Sequence, residues 1–201
     1  MTTVYVPGTE EKDPKKIIMS LHQIGPRLET AETDIATLET TLGVISGGQI
    51  PFPATQNPSS NANTLDDYEE GTWTPVLTAA TPGDLSVVYS VQLGYYTKIG
   101  RMVFVNYDVT TSTWTHTTAA GNISITGLPF TSSAGITWRG LVRGGGWTKA
   151  GYTQLLSSIL AGGTTVTIAA TGSGAAPLNL AITDTPTGTQ QTYNGCVAYP
   201  V

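Results

Sequence analysis

The sequence predicts a mainly β protein: a C-terminal antiparallel β-sandwich, or knob, preceded by a short N-terminal helical stalk with coiled-coil patterning. Three observations lead there. Beyond residue 71, short runs rich in Val, Ile, Thr and aromatics recur at spacings of about 8–12 residues, punctuated by Gly, Pro, Asn and Ser. Before residue 43, apolar residues instead step by three and four. Between these two regimes lies GVISGGQIPFPATQNPSSNANT, which mixes Gly, Pro, Ser and Asn with no period. A length of 201 residues suffices for one sizeable domain and an arm.

Residues 1–25 read as the arm. Val4 and Val6 alternate weakly before Pro7 and Gly8, as in an extended peptide that orders against another surface. Asp13 and Pro14 start a short helix, with a capping side chain and a ring that suits the first helical position. Ile17, Ile18, Leu21 and Ile24 share its apolar face, and Gly25–Pro26 ends it and can start another. Over 26–43, Leu28, Ala31, Ile35, Leu38 and Leu42 take the a, d, a, d, a positions of a heptad, with Glu29, Glu32, Asp34 and Glu39 mostly off the seam. So short a stripe is marginal alone, because nucleation is costly and one narrow face must bury against something. Other copies of the chain are the natural partner, and packing on the chain's own β-body is the alternative. The seam does not set the number of strands.

Residues 44–64 form the linker, semi-rigid around Pro51–Phe52–Pro53 and flexible over 59–63. The knob, 65–201, opens with LDDYEEGTWTPVL: carboxylates at Asp66, Asp67, Glu69 and Glu70, a turn at Gly71, and a first strand from Thr72 whose Trp73 can bury a large apolar face. Further strands are predicted over 86–90, 94–99, 102–110, 122–126, 136–142, 152–160, 164–169, 178–183 and 191–199. Alternation is clearest from Met102 to Val109, and Ile99–Gly100–Arg101 suits a tight turn before it.

Three segments carry a family resemblance. NTLDDYEEGTWTP, GYYTKIGRMVFVNYDV and GNISITGLPFTSS, within residues 57–134, resemble the fibre, spike and receptor-binding proteins of tailed bacteriophages. The resemblance implies a homotrimer located on the virion, on tail or head, and made in the host cytoplasm without a signal peptide. It implies that the arm, through Val4, Val6, Ile17, Ile18, Leu21 and Ile24, docks on other virion proteins while the knob faces host-surface polysaccharide. A head fibre or decoration protein without essential receptor binding is the alternative, and a depolymerase spike a third reading.

Composition narrows the chemistry. Charged residues are 11% of the chain, against about 25% in ordinary globular proteins. Eleven of them precede Gly43 and only eight follow Gly71, so Thr, Ser, Gly and Asn keep the body in solution. A net charge of −5 offers no broad attraction to nucleic acid. No basic start leads into an apolar core, and no run is long enough for membrane insertion. Cys196 is the one cysteine, and with His22 and His116 it makes neither a zinc site nor a thiol dyad. The four carboxylates of 66–70 stand too close along one loop to oppose each other across a sugar; they read as a solvated turn or as contacts between copies. After Gly71 the acids are Asp84, Asp108 and Asp184, thinly spread. Gly144–Gly145–Gly146 lacks the Lys-Ser/Thr ending of a phosphate loop. The expectation is a protein without catalytic residues, metal or cofactor.

The aromatics carry the functional expectation. Trp138, Arg139, Arg143, Trp147, Lys149 and Tyr152 gather three of the five cations that follow Gly71 around a Gly-rich hairpin. Aromatic faces stack on the apolar faces of sugars, and cations reach hydroxyls and acidic substituents. Trp114 and His116, in the loop 111–121, form a second such candidate. Aromatics on short strands equally serve as core or subunit-interface residues.

Overall fold

A computed structural model describes residues 25–37, 50–172 and 174–201 of the chain. It divides into two units, Met1–Phe52 and Pro53–Val201.

In the first unit residues 25–37 are helical. Gly25 and Pro26, expected to end one helix and able to start another, carry helical geometry. Three threonines fit the helix by bonding back one turn: Thr30, Thr33 and Thr37 donate their hydroxyls to the carbonyls of Pro26, Glu29 and Thr33, each at 2.8 Å. The seam residues Leu28, Ala31 and Ile35 are exposed. Leu38 and Leu42 lie outside the described residues, as do the arm residues Val4, Val6, Ile17, Ile18, Leu21 and Ile24.

The second unit holds ten strands: β1 (Tyr68–Trp73), β2 (Val76–Thr81), β3 (Ser86–Ile99), β4 (Met102–Thr115), β5 (Ala120–Thr126), β6 (Trp138–Gly145), β7 (Gln154–Ile159), β8 (Val166–Gly172), β9 (Ala175–Asn179) and β10 (Thr192–Pro200). A 3-10 turn, Ile182–Asp184, precedes β10. All pair antiparallel in one sheet, in the order β1-β3-β4-β10-β6-β7-β8-β5-β2, with β9 beside β8. The two ends of this order, β1 and β2, are consecutive in the chain with only Thr74 and Pro75 between them, so the sheet curls until its ends meet. Pro75 has no N–H for a ladder, and side chains close the gap instead. Gln92 Nε2 donates to the Pro75 carbonyl at 2.9 Å, and the Leu77 N–H donates to the Tyr89 hydroxyl at 2.9 Å. The expected β architecture is present, as one continuous curled ladder rather than two separate sheets of a sandwich.

Gly71 is not a turn. It lies within β1, which begins at Tyr68 rather than Thr72, and pairs with Tyr96. An added Cβ would meet the Tyr96 ring at 2.6 Å, so the glycine serves close approach between strands. Gly100 does turn the chain: with φ 55° at the first central position and Ile99 paired to Met102, it has the φ pattern of a type II′ hairpin.

The core fills the inside of the curl. Odd-numbered residues of β4 point inward, from Val103 through Val105, Tyr107 and Val109 to Thr111. Trp114 is even-numbered, yet 1% exposed. Two bulges explain this. Val88 pairs with Thr113 and Tyr89 with Thr111, leaving Ser112 unpaired, and Tyr89 and Val91 flank an unpaired Ser90. One extra residue inverts a period of two, so each strand exchanges its inner and outer positions there. The two serines donate to carbonyls across the bulge, Ser90 to Thr110 at 3.2 Å and Ser112 to Val88 at 3.3 Å. These bulges also join the two strands expected over 86–90 and 94–99 into one.

Candidate functional site

The hairpin of β6 and β7 builds the site. Its ladder runs from Trp138–Ile159 to Leu141–Leu156 and stops, while β6 continues to Gly145 with partners only on its β10 side. Beyond Leu141 the two strands therefore part. Gly146 makes the departing turn at φ 85°, a conformation that disfavours side chains, and an added Cβ there would collide with the Gln190 carbonyl. The connecting loop is fastened along its length. Gln191, fully buried, donates from Nε2 to the Gly146 carbonyl at 2.7 Å and accepts the Tyr193 hydroxyl at 3.0 Å. The Thr148 N–H donates to the Asp184 carbonyl at 2.7 Å, Lys149 Nζ reaches Asp184 Oδ2 at 2.6 Å, and the Tyr152 hydroxyl donates to Ala176 at 3.1 Å.

The parted strands leave an open groove of about 420 Å³, lined among others by Leu141, Arg143, Trp147, Gln154 and Leu156. Trp147 is half-buried against the core, and Gly144 leaves it room: an added Cβ would stand 3.3 Å from the indole Nε1 and collide with Leu155. Arg143 is exposed and donates from Nη1 to Asn194 Oδ1 at 3.4 Å, and Asn194 in turn donates to Asp108. An aromatic wall, a guanidinium steadied at one end and a side-chain amide thus converge on one groove. Such a set stacks on a ring and bonds its hydroxyls or acidic substituents.

The other sequence candidates separate. Trp114 is corrected from surface to core, where its indole N–H donates to the Thr185 carbonyl at 3.2 Å. His116 packs edge-on against Trp114 and places Nε2 2.8 Å from the same carbonyl, which requires that nitrogen to carry the proton. Trp138 packs on the core with a buried indole nitrogen, and its backbone opens β6 at the far end from the groove. Lys149 and Tyr152 hold the loop, with the ammonium committed to Asp184 and 5.9 Å from the Tyr152 ring. Arg139 lies on the outer face of the sheet in a second groove, with Phe104, Leu141 and Cys196. Only Arg143 and Trp147 share the first groove. Gln154 and Gln191 were missed because uncharged amides carry no pattern in sequence; their roles follow from where the ladder stops.

The carboxylates of 66–70 do not form a common cluster. Asp67 is buried in an ion pair with Lys98, whose ammonium lies 5.7 Å from the Phe130 ring. Asp66 accepts the Ser59 N–H at 2.9 Å, which lowers its pKa and ties down a segment expected to be flexible. Glu69 accepts from Tyr96 and Glu70 from Tyr68, and these bonds raise both phenol pKa values. Strand alternation sends Glu69 and Glu70 to opposite faces. The expected solvated turn is thus replaced by four separate partners. Among the described residues, no three His, Cys, Asp or Glu stand in a metal-binding arrangement, and no helix is long and apolar enough to cross a membrane.

The crystal structure of the Dettilon tailspike protein matches this chain with a TM-score of 0.50 and 20% identity. The fold is similar to part of a tailspike. The match covers 65% of this chain but 23% of the tailspike chain, so it speaks for the fold alone. No family model and no curated protein matches the sequence.

Proposed function

We propose that the chain is a structural, non-enzymatic component of a phage tail appendage, with the β-unit presenting the β6–β7 groove to host-surface polysaccharide. The observation that carries this reading is the groove, where the end of the β6–β7 ladder brings Arg143, Trp147 and Gln154 together. The likeness in fold to a tailspike supports the appendage, as do the three resembling segments. In this reading the arm docks on the virion, the helix over 25–37 buries its exposed Leu28 and Ile35 against other copies, and the assembly is a homotrimer. Trp147 stacks on a sugar ring, Arg143 bonds an acidic or hydroxyl group, and Gln154 fixes orientation. The acids after Gly71, Asp84, Asp108 and Asp184, are thinly spread along the sequence, which supports the non-enzymatic reading over a depolymerase.

The test is binding of host-surface polysaccharide and adsorption to host cells by the intact protein and by Trp147→Ala. Loss of one stacking contact of about 1–1.5 kcal/mol lowers affinity roughly tenfold while the protein stays folded. Unchanged binding and adsorption by the folded variant would remove the groove from recognition. Deleting residues 1–24 should abolish incorporation into particles; copurification of the truncated chain with virions would place the anchor elsewhere.

A further inference from the structure

The outside of the curled sheet carries an apolar band that meets the first groove only at Leu141 and Leu156. Strand pairing gives its composition row by row. One row runs Thr72–Tyr95–Asn106–Cys196–Leu141–Leu156 through consecutive pairs of β1, β3, β4, β10, β6 and β7. The next runs Glu70–Thr97–Phe104–Ala198 and ends in the second groove, about 370 Å³, which Phe104 and Ala198 share with Arg139. Leu141 is 72% exposed, Tyr95 55% and Phe104 45%, although β3, β4 and β6 are all interior to the sheet. Isolated exposed apolar residues are ordinary, but a contiguous aromatic and aliphatic band across five strands marks an interaction surface.

Charge says what covers it. The band begins at Glu70 on β1, the terminal strand, and ends at Arg139 on β6, with uncharged residues between. A surface acidic at one end and basic at the other is complementary to itself when copies pack head to tail, so that the basic end of one meets the acidic end of the next. We propose that this outer face, centred on Tyr95, Phe104, Leu141 and Cys196, is the contact through which one copy of the chain packs on the next. The contact is heterologous, so it closes into a ring when the rotation permits. This deepens the appendage reading by naming the surface between copies, and it places that contact on the β-unit, independent of the helical seam.

The chain carries its own probe, because Cys196 is its one cysteine, is exposed in the single chain, and lies within the band. Alkylation of the intact protein by a maleimide, followed across a dilution series alongside sedimentation, reads the contact directly. The expected result is a thiol protected at least tenfold in the assembled protein and fully reactive once dilution gives monomers. Tyr95→Glu, at a position too exposed to disturb the core and outside the first groove, should give folded monomers with a reactive thiol at concentrations where the wild type is assembled. Glu70→Arg should weaken association at least tenfold, and adding Arg139→Glu in the same chain should restore it. An assembled wild type whose thiol reacts at the monomer rate would overturn the proposal by placing the contact elsewhere, as would a wild type that stays monomeric. Failure of the double charge reversal to restore association would overturn the head-to-tail pairing, and protection of the thiol by polysaccharide in a monomer would reassign the face to a ligand. None of these outcomes bears on adsorption through Trp147, so the two readings fail separately.

Discussion

The Trp114–His116 and Arg143–Trp147 clusters have the same chemistry in sequence, an indole close to a basic side chain among small residues, and opposite fates in the fold. Both lean on one segment. Trp114 and His116 use the Thr185 carbonyl, while Thr148 and Lys149 beside Trp147 use Asp184. What separates them is strand geometry. The extra residue Ser112 turns Trp114 inward, whereas the early end of the β6–β7 ladder leaves Trp147 at the mouth of a groove. Residue type therefore sets what each cluster could do, and ladder irregularities set which one is free to do it.

That contrast breaks most sharply at Trp114. Trp114→Ala should cost about 3–5 kcal/mol, since it removes a fully buried side chain and leaves a cavity. Denaturant unfolding checks this, and a loss below about 1 kcal/mol would erase the distinction between the clusters. Gln191→Ala should cost about 1–3 kcal/mol by stranding the Tyr193 hydroxyl and the Gly146 carbonyl. Because Gly146 sets the loop, the same variant should also weaken polysaccharide binding. That double effect, read by unfolding and by binding on one sample, is the link between core and groove. Trp147→Ala should cost less than Trp114→Ala, its indole being only partly buried at the edge of the core, so its melting temperature falls less while adsorption falls more.

Titration gives smaller effects. Burial raises the phenol pKa values of Tyr107 and Tyr193 well above the ordinary range and that of Tyr199 to about 12. A folded-state value above the unfolded one, near 10, means that the contribution is whole below about pH 10 and lost as pH climbs through 12. Tyrosinate absorbance should rise together with loss of β signal in circular dichroism; ionisation ahead of unfolding would place these hydroxyls in solvent. At the acid end, hydrogen bonds from the Thr117 hydroxyl and from the Thr117 and Thr118 N–H groups hold Asp84 well below the usual carboxylate range. Its contribution is present above about pH 4 and lost as pH falls through the lowered value. Asp84→Asn should flatten that part of the acid unfolding curve slightly, and an unchanged curve would deny the clamp any role in stability.

The period of two from Met102 to Val109, the Gly100 turn and the spacing of the Gly-rich breaks were enough to read a mainly β body, because side-chain alternation and turn chemistry are local. The three-and-four stepping over 28–35 likewise identified a helix, now observed over 25–37. Gly71 misled because glycine serves close strand approach as readily as turns, and only the Tyr96 ring opposite it tells which. The outer band was invisible along the chain, since Tyr95, Phe104, Cys196 and Leu141 come from four strands that are neighbours only in the sheet. By itself the sequence determined that the body is built of short strands and which aromatic and basic side chains it had to place. Inside and outside, edge and centre, groove and core were decided by tertiary pairing, because one unpaired serine or one ladder ending early reverses the face that a local pattern assigns.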